Sequence, residues 1–238
     1  MIKIGKNISE FSVYSCQPKT RGELKEIIDN RIAKEGPDCD LNDIDTSLID
    51  DMSYLFYKAN FNGDISKWDV SKVKYMSCMF AYSDFNHDIS GWDVGNVINM
   101  ASMFDNSKFN QDISKWNVSN VVDMWEMFMD SKFNGDISKW DVSNVQTMKE
   151  MFSSSEFNQD ISKWNVSKVK NMRGMFFCSR FNQDISNWDV SNVRDVWSMF
   201  SGSEFNSDIS NWKIRKDCDT FSMFIDCLIK EEYKPKLK

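Results

Sequence analysis

The sequence is poor in the residues that carry out chemistry. Its 238 residues contain one histidine, His87, and no pair of cysteines with CxxC spacing. Neither a glycine-rich phosphate loop nor a cluster of metal-ligating residues can be read from it. We therefore expect a protein that is not an enzyme and that holds no metal ion and no cofactor.

Long apolar runs are missing too. The N-terminal segment MIKIGKNISEF has no apolar run of signal-peptide length, and no later stretch approaches the length of a membrane span. The six cysteines are scattered singly, so we expect free or incidentally paired thiols rather than a disulfide framework. These features predict a chain without a membrane span, and a cytoplasmic location remains open.

Positive charge is in short supply. The chain has 29 Lys and Arg against 36 Asp and Glu, which gives a net charge of −7. A nucleic-acid partner would require clustered basic residues, so the composition argues against one.

What the sequence does contain is a period of 24 residues. The segment FNQDISKWNVSNVVDMWEMFMDSK, residues 109–132, is one copy of a unit that recurs without insertion. A fixed period of this length is typical of a solenoid, in which each coil packs on its neighbours and the array shares one core. The tryptophan column comprises Trp68, Trp92, Trp116, Trp140, Trp164, Trp188 and Trp212.

Two periodicities alternate within a coil. The segment Lys67-Trp68-Asp69-Val70 alternates polar and apolar residues, which predicts a strand with Trp68 and Val70 facing inward. Met76, Met79 and Phe80 then follow at helix-like spacing. We predict an α/β solenoid that is leucine-rich-repeat-like and right-handed, with one parallel strand near Trp-x-Val and a short helical turn per 24-residue coil.

The chain divides into three parts. Residues 1–36 are predicted to form an N-terminal cap, residues 37–224 an eight-coil solenoid with degenerate first and last coils, and residues 225–238 a C-terminal cap or tail. The cap is expected to contain short strands (Ile2, Ile4, Phe11, Val13) and one helix, which starts at the capping box Thr20–Glu23 and stops at Gly36-Pro37.

The words DISKWDVSNV and MF, followed by FN, resemble the repeats of the BspA-like leucine-rich-repeat family of bacterial surface proteins. The resemblance covers residues 37–224. It implies a secreted or surface-exposed adhesion or interaction protein, with a host or bacterial protein as its partner.

The Trp and Asp columns each allow two interpretations. We expect the tryptophans to be core residues, whose indole N–H groups need carbonyl partners; the alternative is an exposed ladder on which a glycan stacks. The aspartates should accept backbone N–H groups in Asx turns, and the alternative is cations held between Asn and Asp side chains. This second column comprises Asp64, Asp88, Asp112, Asp136, Asp160, Asp184 and Asp208.

Candidate binding residues are those by which the coils differ. Large or charged side chains vary along the Met-Phe side of the coils, whereas the residues flanking the Trp column are monotonous. Because aromatic residues are favoured at binding hot spots, we expect Trp125 and Trp197 to be exposed and to contact a protein partner. A passive structural spacer, or drift at unconstrained positions, would also be consistent with this pattern. The full set of candidates is Trp125, Trp197, Tyr82, Met129, Phe177, Lys149 and Arg173.

Overall fold

The computed structural model describes residues 14–236, which form one helix followed by a stack of coils built mainly from turns. Helix α1 spans Arg21–Glu35, and a short 3-10 helix spans Glu231–Tyr233. The strands predicted around Ile2, Ile4, Phe11 and Val13 lie outside the described residues.

Helix α1 has the caps that its sequence predicts. Thr20 Oγ1 accepts the backbone N–H of Glu23 at 3.2 Å, and Gly36, with φ of +95°, ends the helix. Leu24 and Ile28 are fully buried in the same apolar core as the coils. The helix therefore covers the open end that the first coil would otherwise expose to water.

Each coil contributes one residue to a ladder of parallel β-bridges, which we call the bridge edge. These bridges do not extend into longer strands anywhere in residues 14–236, so the predicted strand per coil is wrong in extent and in place. The bridge residues lie between the inward valine and the first methionine, not near Trp-x-Val. They are Asp51, Tyr75, Asn99, Asp123, Thr147, Asn171, Asp195 and Asp219.

The Trp-x-Val segment is held between two turns. Trp68 N–H donates to Ile65 O at 3.2 Å, and Val73 N–H donates to Val70 O at 2.9 Å. The in-and-out alternation of the side chains is as predicted, because Trp68 and Val70 are buried. Between the two turns, however, the described coils share no backbone–backbone hydrogen bonds, so a strand is not formed.

The predicted helical turn at the methionines is also wrong. Met79 N–H donates to Met76 O at 3.2 Å, which closes a β-turn in which Cys78 has φ of +54°. Cys78 N–H points along the stack and donates to Ala101 O of the next coil at 2.9 Å. A residue with positive φ cannot continue an α-helix, and its N–H is already used by the neighbouring coil.

The apolar columns form one continuous core, as predicted. The repeated Phe and Met side chains are buried, and each ladder tryptophan is only 4–5% exposed. The indole N–H of each tryptophan donates to the backbone carbonyl of an isoleucine or leucine in the preceding coil. The interpretation of the Trp column as core is thus confirmed.

Equivalent rings lie at different spacings on different sides of the stack. The centroids of Phe80 and Phe104 are 5.7 Å apart, whereas those of Trp164 and Trp188 are 6.5 Å apart. Hydrogen-bonded neighbours at the bridge edge lie about 4.8 Å apart. The rings are therefore more widely spaced in the Trp column than in the Phe80 column, and the curvature of the solenoid stays a prediction.

The C-terminal end is covered by a short segment. Ile229 is buried, and Tyr233 O accepts the N–H of Ile209 at 3.0 Å in place of a further coil. All six cysteines are free thiols. The handedness of the solenoid and its exact domain boundaries stay predictions.

Candidate functional site

The most variable surface lies immediately beside the bridge edge. We call it the 125 column: it consists of the residue two positions after the bridge residue of each coil. The backbone N–H of most of these residues is held by a side-chain oxygen of the bridge residue two positions earlier; Trp125 N–H, for example, donates to Asp123 Oδ1 at 2.9 Å. The column reads Ser53, Ser77, Ala101, Trp125, Lys149, Arg173, Trp197 and Phe221.

Two cation–aromatic pairs occupy the middle of the 125 column. Lys149 Nζ lies 4.8 Å from the ring centroid of Trp125, and the guanidinium carbon of Arg173 lies 4.1 Å from that of Trp197. Both cations thus stack on a tryptophan of an adjacent coil, an interaction worth about 0.5–2 kcal/mol. The two pairs hold four side chains in one ordered strip.

An apolar groove opens next to this strip. It encloses about 260 Å³ and contains three predicted site residues, Met129, Phe177 and Trp197. Glu150 and three serines complete its lining. We call it the aromatic groove.

Gly174 forms part of the floor of the aromatic groove, and sequence reasoning missed it. It has φ of +57°, at a position where the next coil has Ser198 and the preceding coil Glu150. A Cβ atom at Gly174 would lie 2.9 Å from Cγ of Glu150. The sequence did contain an indication of this position, because Gly174 is a glycine in a column whose other residues have side chains.

Among the predicted binding residues, Trp197 is less exposed than expected. Trp125 is 40% and Phe177 37% exposed, but Trp197 is half-buried, because Arg173 covers one face of its ring. The prediction that Trp197 is exposed in the same way as Trp125 is therefore wrong. Tyr82 is exposed but does not line the groove.

Tyr82 belongs to a separate aromatic cluster nearer the N-terminal end. Its ring packs edge-on against Tyr57 with centroids 6.0 Å apart, and Lys58 Nζ lies 5.7 Å from its centroid. Tyr54 extends this cluster, with its centroid 5.6 Å from that of Tyr57. The sequence-predicted set is thus divided between two surfaces.

Carboxylates lie beside the strip as well. Burial raises the pKa of Glu126, the hydrogen bond from Ser102 opposes this rise, and the nearby carboxylate of Glu150 adds to it. Ser102 Oγ donates to Glu126 Oε2 at 3.1 Å, and Lys149 Nζ lies 3.6 Å from Glu150 Oε1. The strip therefore presents both signs of charge around its aromatic rings.

The aspartate column is held by backbone N–H groups, as predicted. Asp136 Oδ1, for example, accepts the N–H of Ser138 at 2.9 Å, and this bond together with the Ser138 hydroxyl lowers the pKa of Asp136. The same Asx turn occurs in the six other coils of the column. Within residues 14–236, no three His, Cys, Asp or Glu side chains are grouped so that they could hold a metal ion.

His87 is exposed on a turn and lies beside Phe85, with ring centroids 6.4 Å apart. Among the described residues, no helix has the length and apolar character needed to cross a membrane.

Comparison with known proteins identifies a family but no function. The model of the family described as Mycoplasma protein of unknown function, DUF285, matches residues 30–134, 105–177 and 129–233, and these three overlapping matches together span most of the chain. Neither curated proteins nor solved structures gave a match. The resemblance to the BspA-like family is not shown by these comparisons. The 24-residue repeat, its ladder of buried aromatic rings and these matches place the chain in the DUF285 family of repeat-containing Mycoplasma proteins.

Proposed function

We propose that the chain is a non-enzymatic binding solenoid, and that a protein partner docks on the 125 column and the aromatic groove. The observation that carries this proposal is the gathering of Met129, Phe177 and Trp197 around one opening, with Trp125 three coils from Trp197 on the same strip. Scaffold packing does not require these side chains. Ser77 and Ala101 occupy the column of Trp125 and Trp197, and Asp105 and Ser153 occupy the column of Met129 and Phe177.

The dimensions of this surface suit a protein segment. Three coils at about 4.8 Å each place Trp125 and Trp197 roughly 15 Å apart along the bridge edge. That span fits within an interface of about 800 Å² per partner. Trp125 and Trp197 are already stacked against Lys149 and Arg173, so their rings lose little side-chain entropy on binding, which favours affinity.

The partner that best complements the site is an apolar segment flanked by charges of both signs. Trp125, Phe177 and Met129 offer apolar surface, while Lys149 and Glu150 lie at its margin. Rim charges of this kind contribute to register and association rate more than to affinity. We further propose a more specific role, that of a secreted or surface-exposed adhesion protein, on the basis of the resemblance to BspA-like repeats.

Two different functions have less support. A glycan cannot stack on ladder tryptophans that are 4–5% exposed, so carbohydrate binding through that ladder has no ring face to use. A passive spacer needs only the core columns and leaves the cation–aromatic strip and the groove without a role.

The test compares three variants with the unaltered chain. A protein captured by the intact chain is purified, and its dissociation constant is measured by calorimetry. Trp125→Ser with Phe177→Ser should weaken binding at least tenfold, or about 1.4 kcal/mol, because both side chains are exposed and neither belongs to the core.

Trp197→Ser tests the groove itself, and circular dichroism establishes whether the half-buried position tolerates the change. The control is Lys115→Ser with Lys163→Ser, two exposed residues that flank the Trp column. Unchanged affinity in the Trp125/Phe177 variant, together with loss in the control, would place the binding surface on the opposite side and contradict the proposal.

A further inference from the structure

A second cavity lies at the turns that follow the inward valine of each coil, such as Val166. The charge of its lining is positive, opposite to the net charge of the chain. It encloses about 340 Å³ and is lined by the cations Lys168, Lys170, Arg194 and Arg215. Its other lining residues are Gln146, Ser167 and Asn192, so no carboxylate lines it. We call it the basic cavity. It shares no residue with the aromatic groove.

The repeat brings these cations together from successive coils. Gln146, Lys170 and Arg194 occupy one column, and the two coils before Gln146 carry Ile98 and Val122 in it. Apolar side chains at these positions are compatible with the same fold. The basic residues are therefore not needed for the packing of the coils.

Lys170 and Arg194 are held close to each other by the backbone. Arg194 N–H donates to Lys170 O at 2.8 Å, and Lys170 N–H donates to Gln146 O at 2.8 Å. Like charges on directly adjacent strands repel and destabilise the pair. An anion placed between the two side chains would remove this repulsion.

The hydrogen-bond donors of these cations are only partly used within the protein. Lys168 Nζ donates to Asn144 Oδ1 at 2.6 Å, and Lys170 Nζ donates to Gln146 Oε1 at 3.0 Å, so both bond to neutral amides. An ammonium group has three donors and a guanidinium five, which leaves donors free for a ligand.

Ion pairs account for only one of the four cations. Arg215 is paired with Asp217, with Nη2 donating to Oδ2 at 2.8 Å. None of the ion pairs among residues 14–236 includes Lys168, Lys170 or Arg194. Lys168 lowers the pKa of Asp141 and Arg194 contributes to the lowered pKa of Asp217, but neither carboxylate lines the cavity. Three cations that form no ion pair therefore face a cavity on a chain whose net charge is −7.

We propose that the basic cavity binds the phosphate group of a small phosphomonoester. A guanidinium fork matches two oxygens of a phosphate, and the lysines supply further charge-assisted hydrogen bonds. The volume is that of a site for a small molecule of sugar-phosphate size rather than for a macromolecule. Ser167 and Asn192 add neutral polar groups to the lining.

The test titrates the full chain with three probes in calorimetry: inorganic phosphate, glucose 6-phosphate, and phosphatidylcholine vesicles that contain phosphatidic acid. Glucose serves as the uncharged comparison. We expect glucose 6-phosphate to bind, phosphate to bind more weakly, and glucose not to bind. Preference for the vesicles would show that the phosphate group belongs to a lipid, whereas failure of all three phosphate probes to bind would overturn the proposal.

The variant Lys170→Gln with Arg194→Gln removes both stacked cations and should weaken glucose 6-phosphate binding at least tenfold, which corresponds to about 1.4 kcal/mol. Because Gln146 already occupies this column, glutamine is compatible with the fold. The matched control is Lys115→Gln with Lys139→Gln, which makes the same charge change at exposed residues outside the cavity. Equal weakening in both variants would overturn a localised site.

Discussion

The indole Nε1 of Trp116 donates a hydrogen bond of 3.2 Å to the backbone carbonyl of Ile89, which lies 27 residues earlier. This bond joins two coils on the side of the stack where the described backbones form no hydrogen bonds with each other. Asn120 contributes a second such link, because its Nδ2 donates to Gly95 O at 2.8 Å. Side-chain hydrogen bonds thus take the place of a backbone ladder along the Trp column.

Replacement of a ladder tryptophan should be severely destabilising. Trp116→Ala leaves a cavity in the buried core and should reduce the free energy of unfolding by roughly 3–5 kcal/mol. Trp116→Phe keeps most of the apolar surface but leaves Ile89 O unpaired, at a cost of about 1–3 kcal/mol. Urea unfolding followed by circular dichroism measures both. Trp125→Ala is the control, and a loss as large as that of Trp116→Ala would contradict the division into core and surface tryptophans.

Glycine should be favourable where the coil requires positive φ. Ser154 is exposed and has φ of +53°, a conformation that costs a residue with a Cβ atom roughly 1–2 kcal/mol. Ser154→Gly removes this cost but adds the entropy of glycine in the unfolded chain, so we expect a net gain of up to about 1 kcal/mol. Thermal unfolding provides the measurement. Lys163→Gly, an exposed position without positive φ, should instead lose about 0.5–1 kcal/mol, and the same sign of change at both sites would rule out the explanation.

Stability should fall as the pH rises through the range in which Asp105 ionises. This carboxyl group is only 6% exposed, and its Oδ1 has no hydrogen-bond partner among the described residues. Burial raises the pKa of Asp105 to about 6, a hydrogen bond with Tyr82 opposes the rise, and Glu126 and Asp130 add to it. The pKa of Asp105 in the folded state thus lies above its value of about 3.9 in the unfolded state. At a pH between these two values, the folded state binds the proton more tightly than the unfolded state does.

The contribution of Asp105 to the free energy of unfolding is therefore largest below pH 4, and it is lost as the pH rises from about 4 to about 6. The lost stability is on the order of 2–3 kcal/mol. Asp105→Asn should raise stability at pH 7 and flatten the pH dependence in this window. Urea midpoints measured from pH 4 to pH 8 provide the test, with Asp84→Asn, a carboxylate on the same side of the repeat, as the control. A midpoint at pH 7 that is unchanged by Asp105→Asn would contradict this assignment.

Removal of divalent cations should leave the fold unaffected. Each carboxylate of the aspartate column already accepts a backbone N–H, as Asp112 does from Ser114 at 2.8 Å. A structural cation at 100 times its dissociation constant would add about 2.7 kcal/mol, so its removal by a chelator would be readily detected. We expect the same melting temperature with and without EDTA. A fall of several degrees that is reversed by Ca²⁺ would show that these carboxylates hold a metal ion.

The 125 column could be predicted in part from the sequence, whereas the basic cavity could not. Trp125, Lys149, Arg173 and Trp197 could be identified because their column varies from coil to coil, whereas the core columns repeat the same residues. Their order as two stacked pairs, and the half-burial of Trp197, depend on side-chain packing between coils that no single repeat contains. The basic cavity was missed because its cations come from three columns that are adjacent only after the coils are stacked.

By itself, the sequence determined the period of 24 residues, the inward columns of Trp, Phe and Met, the Asx turns and the capped helix α1. Burial of a regularly repeated apolar pattern, local capping and local side-chain-to-backbone bonds are all decided within one coil or one turn. Only the tertiary structure decided that each coil bonds to the next through one bridge residue, such as Tyr75, and through alternate N–H groups of the segment after it, such as Phe80 N–H to Met103 O. It also decided that Cys78 adopts positive φ instead of continuing a helix. The reason is that an α-helix would require Cys78 N–H to donate to Lys74 O, whereas in the stack Lys74 O accepts the N–H of Ile98 and Cys78 N–H donates to Ala101 O of the next coil.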